Sequence, residues 1–360
     1  MTAPPTATGR SSSRPLARPL AAAVLLAAAV CVAGCASTRP RLAELVELSA
    51  GRRPARVELT SVPFFPQVEY QCGPAALATV LSTEERPVTP AELVPQVYLP
   101  GRRGSLQPEL VAATRSHQRL PYLVAPTLDD AIAQLAARRP VLVLQNLGWK
   151  IRPRWHFAVL VGYDSTAETV ILRSGTEERR VMKARRFDAT WARAERWGLV
   201  ALPPGELPAD PDPDRYLSGA AGLEAVGRTA AARSAYLRAR EEWPGSPWPW
   251  LGLANLSHAE EDLDRARDAY LEALARDPEN VAARHNLAET LEARGCVEEA
   301  RREIERARAA ARGTPLESRV EATAQRISRL PALEELGAED DPRRPPLPGR
   351  APGGDCGNAE

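Results

Sequence analysis

Several residue types are scarce in this 360-residue chain, and each scarcity closes off a class of protein. Five cysteines are too few for a disulfide-built scaffold. No two of them stand in a CxxC pair, and the four histidines form no HxxxH pair, so the sequence implies neither a zinc site nor any other cofactor. Lysine is nearly missing: of the 47 basic residues only Lys150 and Lys183 are lysine, and Asp+Glu number 46, for a net charge of +1. That balance lacks the basic surplus of a nucleic-acid binder. Long apolar runs are missing as well. The run Ala21–Val32 is twelve residues, where about twenty are needed to span a bilayer. Against these absences stand 44% hydrophobic and 26% charged residues, enough for packed cores, and a length that accommodates two domains.

The apolar run follows a Pro/Ser-rich start carrying Arg10, Arg14 and Arg18 and no acidic residue, the layout of a secretory signal. It closes Val32-Ala33-Gly34-Cys35, and small residues before a cysteine resemble the bacterial lipoprotein signal. That resemblance implies a signal peptide at 1–34, acyl chains on Cys35, and a membrane contact made through lipid. Ala36, in place of an aspartate, implies the outer membrane, with the chain facing the periplasm. Residues 35–56 read as an Arg-rich tether with a helical pattern at Leu42–Leu48. Residues 57–203 form a block of mixed pattern. Its apolar runs Val141–Leu147, Phe157–Tyr163, Val170–Leu172 and Leu199–Leu202 suit strands. Residues 204–215 (PGELPADPDPDR) read as a Pro/Asp-rich linker, and 331–360 as a disordered tail.

The chemistry concentrates in the mixed block. In Gln71-Cys72-Gly73-Pro74-Ala75-Ala76-Leu77 a cysteine followed by Gly-Pro opens an apolar helical run. Proline suits a first helical turn, because its missing N–H has no intrahelical partner there. Cys72 then stands at a helix N-terminus, whose partial positive charge favours thiolate over thiol. Gln67, or alternatively Gln71, can donate a side-chain N–H to an oxyanion formed when sulfur attacks a carbonyl. His156 heads the apolar strand His156-Phe157-Ala158-Val159-Leu160-Val161-Gly162-Tyr163-Asp164 and can receive the thiol proton. These residues resemble the papain-like cysteine peptidases, in particular the bacteriocin-processing, double-glycine-cleaving family 39 of that clan. The resemblance implies an α+β papain-like fold over 57–203, with Cys72 as nucleophile, His156 as base and Gln67 as oxyanion donor. The family usually places an aspartate on the strand after the histidine strand, where this chain reads Val170-Ile171-Leu172-Arg173-Ser174-Gly175-Thr176. A hairpin near Thr166 brings Ser174 or Thr176 opposite His156; Asn146 is another neutral orienter. Asp164, eight residues along the strand, lies roughly 26 Å away.

From residue 213 the chain repeats at a period of 34. Tyr236, Tyr270 and Ile304 recur at that spacing, as do Ala232, Ala266 and Ala300, and Ala239, Ala273 and Ala307, with Pro244 and Pro278 closing units. The pattern resembles tetratricopeptide repeats at about 213–246, 247–280 and 281–314, an all-α solenoid over 216–314 that implies a protein partner. Cys296 falls on a repeat helix at or near the core, and in an oxidising compartment it can pair with Cys356. Three functions are compatible with the whole: a lipid-anchored envelope peptidase acting on a protein or peptide, a catalytically weak scaffold of the same fold, and an acyl transferase using the same acyl-thioenzyme.

Overall fold

The computed structural model describes residues 2, 41–67, 70–82 and 86–331. The signal-peptide reading (but for Thr2), the lipid-bearing Cys35 and the tail at 332–360 lie outside the described residues.

The apolar runs of the mixed block pair into one antiparallel sheet. Its strands are β1 (Arg56–Glu58), β2 (Leu120–Leu123), β3 (Val141–Asn146), β4 (Trp155–Asp164), β5 (Thr169–Ser174), β6 (Glu177–Lys183) and β7 (Gly198–Leu202). They run in the order β2-β7-β3-β4-β5-β6, with β1 pairing the far end of β4. The strands β3 and β4 are apolar on both faces and buried almost throughout, as central strands covered on two sides must be. Against β4 lies helix α2 (Cys72–Leu81), in which eight of ten residues are buried. Its run of alanines lets the helix approach the strand closely. Helices α3 (Pro90–Val97), α4 (Gln107–Ser116), α5 (Leu128–Ala136) and α6 (Ala184–Ala192) complete the unit.

The segment expected as a tether is, from residue 41, part of this folded body. Helix α1 (Leu42–Leu48) buries Leu42 and Leu45. Its first N–H groups, at Leu42 and Ala43, donate to the Glu168 carboxylate at 3.1 Å each, an anion where a helix start favours one. Behind it the buried Arg53 forks onto Asp129 at 2.5 and 3.2 Å and onto Asp210 at 3.2 Å. One guanidinium thus ties the start of the fold to α5 and to the Pro/Asp-rich segment, which packs down rather than spanning open solvent: Gln134 also clasps Ala209 through both its amide atoms.

Beyond it come antiparallel helix pairs: α7 (Pro213–Ala225) with α8 (Thr229–Glu242), α9 (Trp248–Ala259) with α10 (Leu263–Arg276), and α11 (Val281–Ala293) with α12 (Val297–Ala311). Helix α13 (Glu317–Ser328), which the repeat period did not announce, follows them. The alanines, tyrosines and isoleucine recurring every 34 positions are all buried. Each small alanine allows a close helix crossing that a large neighbour fills. Gly252 shows the tolerance: a Cβ there would collide with the Tyr236 ring. Cys296, the N-cap of α12, is buried and disulfide-bonded; Cys356 is outside the described residues.

The helical pairs and the sheet share a core. Tyr216, Leu217, Ala220 and Leu223 of α7 belong to the same apolar cluster as β2 to β5. The contact is close because α7 presents glycines. A Cβ on Gly219 would stand 2.6 Å from Leu120 Cδ2, and one on Gly222 would stand 2.5 Å from Arg115 Nε. A second cluster occupies the far repeats. The two meet at α9, which gives Leu253 and Leu256 to the first and Leu251 and Ala254 to the second.

Candidate active site

Helix α2 begins at Cys72 itself, and no side chain caps it. The first-turn N–H groups of a helix have no intrahelical partner, and the backbone N–H groups of Phe157, Gly73 and Cys72 bear on the sulfur. Phe157 follows His156 on β4, so the strand carrying the imidazole lies directly against the helix end carrying the thiol. Two residues before Cys72, Tyr70 is held at φ 63°, a left-handed conformation uncommon for a side chain of that size. Arg103 stands over its ring at 5.8 Å. A Cβ on Gly73 would run into the Ser105 side chain, so the glycine after the cysteine is what lets the 103–106 segment close on the helix start.

Ser174, the last residue of β5, is buried, and its Oγ lies 2.9 Å from His156 Nε2. Of the neutral orienters open in the sequence, Ser174 is the one brought to the imidazole. Asn146 is used elsewhere. Its Oδ1 accepts from the Gly148 and Arg154 N–H groups at 2.9 and 3.0 Å, and its carbonyl accepts from Arg193 at 2.9 and 3.1 Å. It shapes the β3–β4 connection instead of holding the ring.

Gln67 is pinned beside them. Its N–H donates to the Gly175 carbonyl at 3.0 Å, and its Nε2 donates to the Phe157 carbonyl at 3.2 Å. The segment leading to it is fastened by the buried Arg173, which donates to the Glu178 carbonyl at 2.6 Å and the Val62 carbonyl at 3.1 Å. Gln71 instead is the N-cap of α2, its carbonyl accepting from Ala75. Gln67, Cys72 and His156 line one cleft of about 780 Å³; Gln71 is not part of its wall.

Burial works against charge in this cleft. It pushes the Cys72 thiol above its ordinary range, although backbone N–H groups favour the thiolate. It also lowers the His156 imidazole to about 4, with the positive charges of Arg180 and Arg154 acting the same way. At the sulfur, then, desolvation opposes the helix end and outweighs it, and at the imidazole it opposes the positive charge as well.

Sequence reasoning missed part of the wall. Ser105 lines the cleft with a buried hydroxyl that has no hydrogen-bond partner among the described residues. No motif marks it, since it lies in the stretch after a 3-10 turn at Pro100–Arg102. Arg102, Arg103, Arg154 and Arg193 also face the cleft, against the one acidic residue Glu195.

Residues 59–198 match the Peptidase_C39 like family, and residues 257–322 match the tetratricopeptide repeat. Similar solved structures include a protein of Bacillus anthracis described as C39-like. It is 17% identical, covering 41% of this chain and 97% of that one, with a TM-score of 0.34. The type III secretion translocator chaperone SycD of Yersinia enterocolitica is 20% identical, covering 34% of this chain and 85% of that one, with a TM-score of 0.31. The Sgt2 TPR domain of Aspergillus fumigatus is 18% identical, covering 40% and 93%, with a TM-score of 0.32. No curated protein matches the chain.

Proposed function

We propose that this chain, an α+β C39-like domain with an antiparallel sheet followed by an all-helical tetratricopeptide region, is a thiol hydrolase that cleaves a peptide or amide bond. The observation that carries the reading is that Cys72, at the start of α2, and His156, whose ring is held by Ser174, line one cleft. For the imidazole to take the thiol proton on Nδ1, it must carry its own proton on Nε2, and that N–H then donates to Ser174 Oγ. The serine fixes tautomer and ring orientation but supplies no negative charge. The proton therefore leaves sulfur as sulfur attacks, rather than beforehand. The acyl-thioenzyme forms as the imidazolium protonates the leaving amine, and water then releases the acyl group. The Cys72 backbone N–H and the Gln67 amide are the donors for the oxyanion. The unpartnered Ser105 hydroxyl is available to a substrate carbonyl or N–H.

In this reading the repeats bring a protein or peptide to the hydrolase. The chain is held in the cell envelope by acyl chains on Cys35, facing the periplasm from the outer membrane. A second reading, a catalytically weak scaffold, is favoured by one observation: the imidazole is oriented by a hydroxyl, not a carboxylate. A mass-spectrometric comparison of envelope peptides between wild type and Cys72→Ala separates the two. Hydrolysis predicts a set of cleaved termini missing from the variant and equally missing from His156→Ala. Identical peptide sets in all three strains leave only the scaffold.

A further inference from the structure

The connection between β3 and β4 reads Leu147-Gly148-Trp149-Lys150-Ile151-Arg152-Pro153-Arg154-Trp155. Its apolar side chains face water. Ile151 is 88% exposed, Trp149 78% and Trp155 55%; with Leu48, the first two are the most exposed large apolar residues described. Among the described residues Lys150, Arg152 and Arg154, which alternate with them, make no ion pair. The loop is nevertheless ordered. Trp149 and Arg152 exchange backbone hydrogen bonds at 3.1 and 3.2 Å, Leu147 donates to the Arg154 carbonyl at 2.9 Å, and Asn146 Oδ1 clamps both arms. A Cβ on Gly148 would strike the Arg152 carbonyl, so the turn closes on a glycine. A hydrogen-bonded turn that keeps indole and sec-butyl groups in water has no folding reason to do so.

We propose that this tip docks on an anionic phospholipid bilayer, Trp149 and Ile151 entering the interfacial layer while Lys150, Arg152 and Arg154 meet headgroup phosphates. Several observations favour a bilayer over a polypeptide partner. Trp149 and Ile151 stand almost wholly in water. Its charges are all of one sign. Indole beside basic residues is also the composition that settles at a lipid–water boundary. The loop ends at Trp155, next to His156, and Arg154 and Trp155 also line the cleft. Docking would therefore turn the mouth of the cleft toward the bilayer surface. The proposal rests neither on Cys35 nor on catalysis by Cys72.

The test uses residues 35–360 carrying Cys35→Ser, so that neither an acyl chain nor the apolar run at 21–32 contributes. The protein is sedimented with vesicles of phosphatidylethanolamine and phosphatidylglycerol, and with vesicles of phosphatidylcholine. Binding is expected to the anionic vesicles, to weaken with salt, and to fall by roughly tenfold or more in Trp149→Ala/Ile151→Ala and in Lys150→Glu/Arg152→Glu. Both pairs of substitutions are on the surface, and the thermal midpoint checks that each still folds. Brominated lipid should quench part of the tryptophan emission, and Trp149→Phe should remove that part. Background sedimentation with both vesicle types overturns the proposal, as does binding that the tip variants leave unchanged. A polypeptide partner at this site would give the first of those results.

Discussion

At His156, burial and two nearby guanidinium groups act in one direction, and the sign of the resulting pH dependence follows. The imidazole can accept a proton only while neutral, and its pKa is lowered to about 4. Hydrolysis should therefore rise with pH through about 4 and be level above it, rather than rising near the ordinary histidine value of 6.5. Arg180→Ala removes a cation that opposes imidazolium, so the acid limb of kcat/KM should move upward, within about one pH unit. A pH–rate profile on any cleaved peptide reads both effects. At Ser174 the hydroxyl holds the ring but carries no charge. Ser174→Ala should lower kcat by about tenfold with little change in KM, the split that marks a lost positioning contact. Much of this site was legible in the sequence, because a cysteine before Gly-Pro and a histidine heading an apolar strand are local signals. Ser174 was legible as one of several neutral candidates, and choosing among them needed the strand register that places Ser174 Oγ at His156 Nε2. The direction of the thiol shift was not legible, because burial comes from the whole surrounding unit and the helix end is only one of its neighbours.

Among elements, the meeting of α7 with β2 depends on the smallness of two side chains. Gly219→Val would drive a branched side chain into Leu120, where even a Cβ stands 2.6 Å from Cδ2. It should destabilise the protein by about 1–3 kcal/mol, seen as a lower urea midpoint. Gly245→Ala, where a Cβ meets nothing and φ is not positive, is the contrast and should leave that midpoint nearly unchanged. The repeat helices were readable from their 34-residue period, since alanine and tyrosine must return to the same crossing in each unit. The docking of α7 was not, because Gly219 and Gly222 look like ordinary interruptions of a helix until the sheet beside them is known. Strands β1, β2 and β6 escaped for a related reason. Strand β1 has only three residues, β2 (LPYL) is apolar but interrupted by a proline, which argues against a strand, and β6 (EERRVMK) is largely exposed and polar.

For the whole molecule, the shared core makes the sheet and the first repeats cooperative. The full chain should lose the near-ultraviolet signal of the Phe187–Trp191 stack in the first unit together with that of the Tyr216–Trp243 contact in the repeats. A chain ending at residue 203 should unfold at lower urea and bind a hydrophobic dye, because Leu120 and Tyr122 lose the helix that covers them. Two well-separated transitions in the full chain would contradict this. The fastening of α1 to Glu168 has a consequence at the same scale. With Cys35 acylated, as proposed, the most chain that can separate the anchor from the folded body is not the twenty-odd residues before β1 but those between Cys35 and Leu42, which span about 20 Å at most. Under that proposal the body is moored too tightly to search the compartment, and a substrate must come within that standoff of the bilayer.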